Sequence, residues 1–180
     1  PGQPDQPDTW PTHDEMGPHL LLADVIHSPT ADARQVALDQ ARYLYVTGEF
    51  AESRDLAETM VTAWSLPPAE GGLGRGHEQT LLGMRHLANA LRMLGDHGRA
   101  RQLSEEAFAR LRSDPAVGDR HENTVQVALG LGFDLAMAGD LRQALTVAEE
   151  NLVRADLVYG PDHTTTLQAR SNVASMLRQL

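Results

Sequence analysis

Three glycine–acid steps divide the chain into similar stretches: Gly48-Glu49, Gly95-Asp96 and Gly139-Asp140. The glycines stand 47 and 44 residues apart. Each closes a run with apolar or small residues at helical spacing, as Leu81, Met84, Leu87, Ala88 and Leu91 do before the second. Glycine just past a helix takes the left-handed conformation without strain, and the acid after it suits the positive start of the next helix. A repeat of this length commits the chain to helix pairs that bury their apolar faces on neighbouring pairs.

Alignment on the glycines gives GEFAESRDLAE, GDHGRARQLSEE and GDLRQALTVAEE. Small residues recur five places on (Ser53, Ala100, Ala144), and aliphatics eight places on (Leu56, Leu103, Val147). Upstream, Ala41, Ala88 and Gly132 occupy a small slot, and Leu44, Leu91 and Leu135 a leucine slot. Small residues there let paired helices approach, and the leucines fill the seam. The stretch EGGLGRGHEQT at 70–80 looks at first like a phosphate-cradling loop. Three connectors, LGRGHEQTL, VGDRHENTV and YGPDHTTTL, align His77 with His121 and His163, Gly74 with Gly118 and Gly160, and Thr80 with Thr124 and Thr166. A phosphate loop would be singular and would follow a buried strand. The glycines therefore reverse the chain between repeats, and the histidines are expected to cap or pack the turns.

Composition narrows the function. Aromatics make up only 4% of 180 residues, which favours helix packing over a sheet. A net charge of −10 argues against a nucleic-acid partner, because phosphate binding needs a clustered positive surface. The absence of cysteine excludes disulfides, thiolate metal sites and a cysteine nucleophile. No segment is apolar for long enough to span a membrane, and no secretory signal pattern is present. All 15 basic residues are arginine, the usage of a high-GC bacterial genome, and a cytoplasmic location is expected. The chain starts at Pro1 without a methionine, as a processed or excised chain would.

Residues 1–18 hold five of the ten prolines and read as an extended arm with Trp10 as its anchor. Residues 19–30 read as a short capping helix, centred on HLLLADVIH. Residues 31–180 form the repeat array, about three and a half units. In TTTLQARSNVASMLRQL, Ala174 and Leu177 take the small and leucine slots, so the sequence reads as stopping inside a fourth repeat. Self-association through that last helix or through the arm would follow, giving a homo-oligomer.

The helix–Gly-[Asp/Glu]–helix units over residues 31–180 resemble tetratricopeptide repeats. The period, the YGPDHTTTLQARSNVASML stretch and GDLRQALTVAEE are similar to the longer kinesin-light-chain-type variant. Such repeats also occur in high-GC bacterial FxSxx-COOH peptide-system proteins and in C-terminal arrays of signalling NTPases. Gln40, in place of the usual leucine before Ala41, departs from the pattern. The resemblance implies an all-α, right-handed superhelical solenoid whose first helices line a concave groove for peptides or partner proteins.

Carried over by register, the groove is lined by Gln35, Leu38, Arg42, Tyr45 and Val46, then Leu82, Arg85, Asn89, Arg92 and Met93. Repeat three contributes Gln126, Leu129, Phe133, Ala136 and Met137, and the last helix Gln168, Ser171, Ser175, Arg178 and Gln179. The only charges among them are arginines, which suit carboxylates. Tyr45, Met93, Phe133 and Met137 would offer adaptable apolar contacts. Arg85 and Asn89 match the family's carboxylate clamp, while Gly130 stands where its next asparagine belongs. The alternative is that these arginines are solvated or pair with nearby acids.

No catalytic, cofactor or metal site is expected. There is no HExxH and no GxSxG elbow, and the connector histidines lie a repeat apart. Glu105-Glu106 and Glu149-Glu150 point about 100° apart on their helices and suit turn-to-turn ion pairs better than acid–base work. The chain reads as a non-enzymatic binding scaffold for a protein or peptide, with acidic or C-terminal carboxylate segments as the favoured ligands. The alternative is a self-assembly or regulatory module of a larger signalling protein.

Overall fold

A computed structural model of the protein describes residues 2–20 and 22–180; the expectations for Pro1 and Leu21 lie outside the described residues. Among the described residues eight α-helices follow one another: α1 (Trp10–Leu20), α2 (Ala31–Thr47), α3 (Phe50–Ser65), α4 (Glu78–Met93), α5 (His97–Ser113), α6 (Glu122–Met137), α7 (Leu141–Tyr159) and α8 (Thr164–Gln179). No strand occurs among the described residues. The chain divides into two compact units, Pro1–Gly95 and Asp96–Leu180.

In the first unit α3 packs between α2 and α4. Ala41 and Ser53, the small slots of the first pair, are fully buried, and Ser53 Oγ donates to the Ala41 carbonyl at 2.8 Å. That contact requires the close approach the small residues permit. Trp64 fills the centre at 2% exposure, and its indole N–H donates to the Ile26 carbonyl at 2.7 Å. Arg34, also buried, donates from Nε to Gln79 Oε1 at 2.8 Å and from Nη1 to the Ser28 carbonyl at 2.6 Å. Gln79 in turn donates to the Ala31 carbonyl, tying the starts of α2 and α4 together.

The N-terminal segment differs from the sequence expectation. The capping helix starts at Trp10, not His19. Pro11 is tolerated because first-turn N–H groups have no helical partner to lose. Residues 22–30 are turn and short 3-10 helix, and Asp24 adopts φ 49, a left-handed value that a continuing α-helix cannot take. Only residues 2–9 lie outside α1 as an arm, held where Trp10 Nε1 donates to the buried Pro4 carbonyl at 3.0 Å. His13 stacks on Tyr43 of α2 with ring centroids 5.1 Å apart, and its Nδ1 meets Gln40 Oε1 at 3.3 Å. The departure at Gln40 is thereby explained: this slot faces α1, whose histidine supplies a polar partner.

In the second unit α6 packs against α5 and α7, and α7 against α8. Ala100 and Ala144 are fully buried, as are Leu111 and Leu135. Gly132 leaves room for the Met176 methyl, which would lie 3.4 Å from a Cβ placed there. Val125, Ala155 and Ala169 form a local core with Leu129 packed on it. The paired glutamates act turn to turn: Arg101–Glu105 at 2.8 Å, Arg110–Glu106 at 3.0 Å and Arg154–Glu150 at 2.8 Å.

The helix stops follow the glycine reading. Gly48 and Gly139 take φ 93 and 85, and the following N–H groups of Glu49 and Asp140 bond back to Leu44 and Leu135 at 2.8 and 3.0 Å. This is the double-bonded left-handed cap. The acids after the glycines behave unevenly. Asp96 caps the Arg99 N–H at 3.2 Å, whereas Glu49 and Asp140 make no side-chain cap, and Asp140 pairs with Arg101 instead.

The connectors are three copies of one device. Nδ1 of His77, His121 and His163 accepts the N–H two residues on, each at 3.2 Å. Three residues after each histidine, Thr80, Thr124 and Thr166 donate to the carbonyls of Gly74, Gly118 and Gly160 at 3.0, 2.7 and 2.7 Å. Imidazole thus does the work usually given to Ser, Thr, Asp or Asn at a helix start. The glycine-rich stretch at 70–80 is a capped turn.

Candidate functional site

The first unit gathers part of the expected lining on α2 and α4. Arg42 lies over the Tyr45 ring, its guanidinium carbon 5.4 Å from the centroid. On α4, Arg85 Nη2 donates to Nε2 of His86 at 3.3 Å, and Arg92 Nη1 donates to Asn89 Oδ1 at 2.8 Å. All of these except His86 are partly exposed, and Met93 is half exposed at the helix end. Leu38 differs from expectation. At 1% exposure it belongs to the core, because its place on α2 turns inward beside Ala37 and Ala41.

His86 was not among the expected lining residues, yet it organises this face. It is 4% exposed, and its proton affinity is held well below the ordinary value of 6.5 by burial and by the charges of Arg85 and Arg42. The imidazole is therefore neutral, with Nε2 as acceptor and the proton on Nδ1. Two guanidiniums thus border a neutral ring and add their fields there. Nothing in the spacing singles out His86 by sequence, since it merely follows the groove position Arg85, and Arg42 lies in the preceding repeat.

The arm supplies the second unexpected participant. Arg42 Nε donates to both oxygens of Asp5 at 3.1 and 3.2 Å, and Arg42 Nη2 also donates to Asp5 Oδ1. Asp5 remains 56% exposed and Arg42 31%. The arm therefore shows what this face can hold: a carboxylate on a proline-flanked turn, gripped by a planar guanidinium that rests on an aromatic ring.

In the second unit, Phe133 and Met137 stand one turn apart on α6 and are 46% and 54% exposed. Gln126 Nε2 reaches the Tyr159 hydroxyl at 3.5 Å, and Arg178 is exposed in the last turn of α8. This is an apolar α6 surface, and its side chains do not form the carboxylate-gripping arrangement found around Arg42. Among the described residues there is no group of three or more side chains able to hold a metal ion. No helix among them is long and apolar enough to cross a membrane.

Comparison with known proteins agrees with these helix pairs. A tetratricopeptide-repeat family model matches residues 80–113, and a second model of the same description matches residues 34–59 and 125–150. No curated protein matches the sequence. Similar solved structures include two of nearly identical TPR-like repeats from a Podosopora anserina protein named for kinesin light chain. One, a glutamine-to-methionine variant of those repeats, has a TM-score of 0.64 at 16% identity and covers 95% of this chain and 85% of its own. The other has a TM-score of 0.62 at 16% identity and covers 97% and 88%. With its glycine-stopped helices, small-residue seams and matching family models, the chain is a tetratricopeptide-repeat protein whose helix pairs share the fold of kinesin-light-chain-like repeats.

Proposed function

We propose that this protein is a scaffold that binds acidic segments of protein partners on the α2–α4 face of its first unit. The fold carries the coarse part, since tetratricopeptide repeats serve protein–protein interaction. The observation that carries the finer part is Arg42, which already holds the Asp5 carboxylate through Nε and Nη2 above Tyr45. Arg85 and Arg92 would add charge along α4, and Asn89, whose Oδ1 accepts Arg92, would offer its amide nitrogen to a peptide carbonyl. Met93 supplies an apolar contact at the end of the helix. In the second unit, Phe133 and Met137 would offer α6 an apolar contact for a partner, with Gln126 and Arg178 as further candidate contacts.

The direct test is titration of the whole protein with a fluorescent peptide of Asp, Glu and Pro residues, by anisotropy. Arg85→Glu should weaken binding by roughly a hundredfold, since reversal both removes an attraction and adds a repulsion. Unchanged affinity for that variant would sink the reading. A second reading, that the arm is the resident occupant of this face and acts as a regulatory plug, is favoured by the same Asp5 contact. It predicts that Asp5→Asn raises affinity for the added peptide.

A further inference from the structure

A second recessed feature lies elsewhere in the first unit, between α1, the C-terminal end of α2 and the first half of α3. It is a cleft of about 440 Å³, within the size range of small-ligand sites. Leu20, Leu44 and Leu56 give it an apolar floor. Four carboxylates surround that floor: Asp14, Glu49, Glu52 and Asp55. No arginine or histidine lines it.

The carboxylates are not equally engaged. Asp14 accepts the Tyr43 hydroxyl, and Asp55 pairs with Arg54 at 2.6 Å. Glu49 and Glu52 have no ion-pair partner among the described residues. The positive start of α3 accounts for acids in its first turn. It does not account for Asp14, contributed by a different helix, on the same cleft.

A separate observation comes from Gln40. Its side chain is 95% buried and lines the cleft, and its Oε1 is engaged by His13. Its Nε2 lies against Gly17, where a Cβ would stand only 2.7 Å away, and has no hydrogen-bond partner among the described residues. The amide nitrogen keeps contact with solvent and is open to a carbonyl that enters the cleft. The leucine slot agrees. Leu91 and Leu135 are buried at 2% and 0%, whereas Leu44 is only partly covered because the cleft opens on it.

We infer that this cleft is a binding site for a basic residue within a peptide. The ammonium or guanidinium is met by Glu49 and Glu52, the aliphatic stem by the leucine floor, and the residue's own carbonyl by Gln40 Nε2. A free basic amino acid would bring its carboxylate into a field of four acids, so the occupant's carboxyl group must be masked in a peptide bond. The site differs from the arginine face in sign and in place, and it stands or falls independently of it.

The test is an NMR titration of the whole protein with acetyl-Leu-Arg-Leu-amide, with acetyl-Leu-Gln-Leu-amide and free arginine as comparisons. The expected result is shifts centred on residues 14–20 and 40–59, with the neutral peptide and free arginine each roughly tenfold weaker or worse. Glu49→Gln/Glu52→Gln, which alters two exposed side chains, should lose about tenfold for the arginine peptide while its urea midpoint stays near wild type. Leu44→Ala, which strips the floor, should weaken arginine and glutamine peptides alike. Equal affinities for the arginine and glutamine peptides would overturn the site. So would unaltered binding by the double variant, free arginine binding as tightly as the capped peptide, or shifts confined to Arg42 and Arg85.

Discussion

Replacing His77 tests whether an imidazole is the cap on which the connectors depend. Nδ1 of His77 accepts the Gln79 N–H at 3.2 Å, one of the four N–H groups at the start of α4 that no helical carbonyl can reach. Truncation of a capping side chain to alanine costs about 1 kcal/mol, so His77→Ala should lower stability by that amount. With a urea slope of roughly 2 kcal/mol/M, the midpoint should fall by about 0.5 M. Trp64, buried in the unit that contains α4, reports the transition by its emission.

The pH dependence separates capping from packing. Only the neutral ring can accept. In the folded protein, partial burial and then Arg34 lower the proton affinity of His77 below the ordinary 6.5, with Glu78 opposing. The unfolded chain therefore binds the proton more readily, and stability from this group rises with pH in that window. It is complete above about 6.5 and is lost as pH falls through the lower folded value. The difference between wild type and His77→Ala should shrink from about pH 7.5 to about pH 5, whereas a His77→Asp cap should persist. A difference that is constant over this range would refute the imidazole cap, as would full stability of the alanine variant.

Three further outcomes follow from other contacts. Arg34→Met strands the buried Gln79 oxygen and Ser28 carbonyl, and should cost about 1–3 kcal/mol in urea unfolding of the first unit. Gly139→Ala forces a side chain onto φ 85 and should cost about 1–2 kcal/mol, measured in the same way. Tyr43 keeps its proton to about pH 12 because its hydroxyl is bonded to Asp14, with burial and the charges of Asp14 and Glu49 adding to the effect. Its stabilisation is complete below the ordinary 10.0 and is lost as pH rises through about 12, a slope that Tyr43→Phe should remove in alkaline unfolding curves.

The repeat architecture was legible because its signals are local and recur. Gly48, Gly95 and Gly139 mark positive φ, and the connector histidines and threonines sit at fixed offsets that each turn reproduces. Leu38 misled, because a groove position carried over by register does not say how α2 is rolled against its neighbours. The N-terminal helix was displaced for a related reason. Proline looked like a breaker throughout residues 1–18, whereas Pro11 sits in a first turn that tolerates it. The Asp5–Arg42 pair spans 37 residues, and His86 acquires its role only through burial between two arginines, so neither has a sequence signature. The cleft beside Gln40 left one trace: a glutamine where the repeat pattern asks for leucine.

Recognition of carboxylates by the α2–α4 face is tested most directly by one binding comparison. Wild type, Asp5→Asn and Arg42→Glu/Arg85→Glu are measured by anisotropy against one acidic, proline-flanked peptide at two salt concentrations. The double reversal should lose binding and wild type should weaken at the higher salt, while Asp5→Asn should bind more tightly where the arm is the resident occupant. Equal affinities for all three proteins would contradict carboxylate recognition by this face.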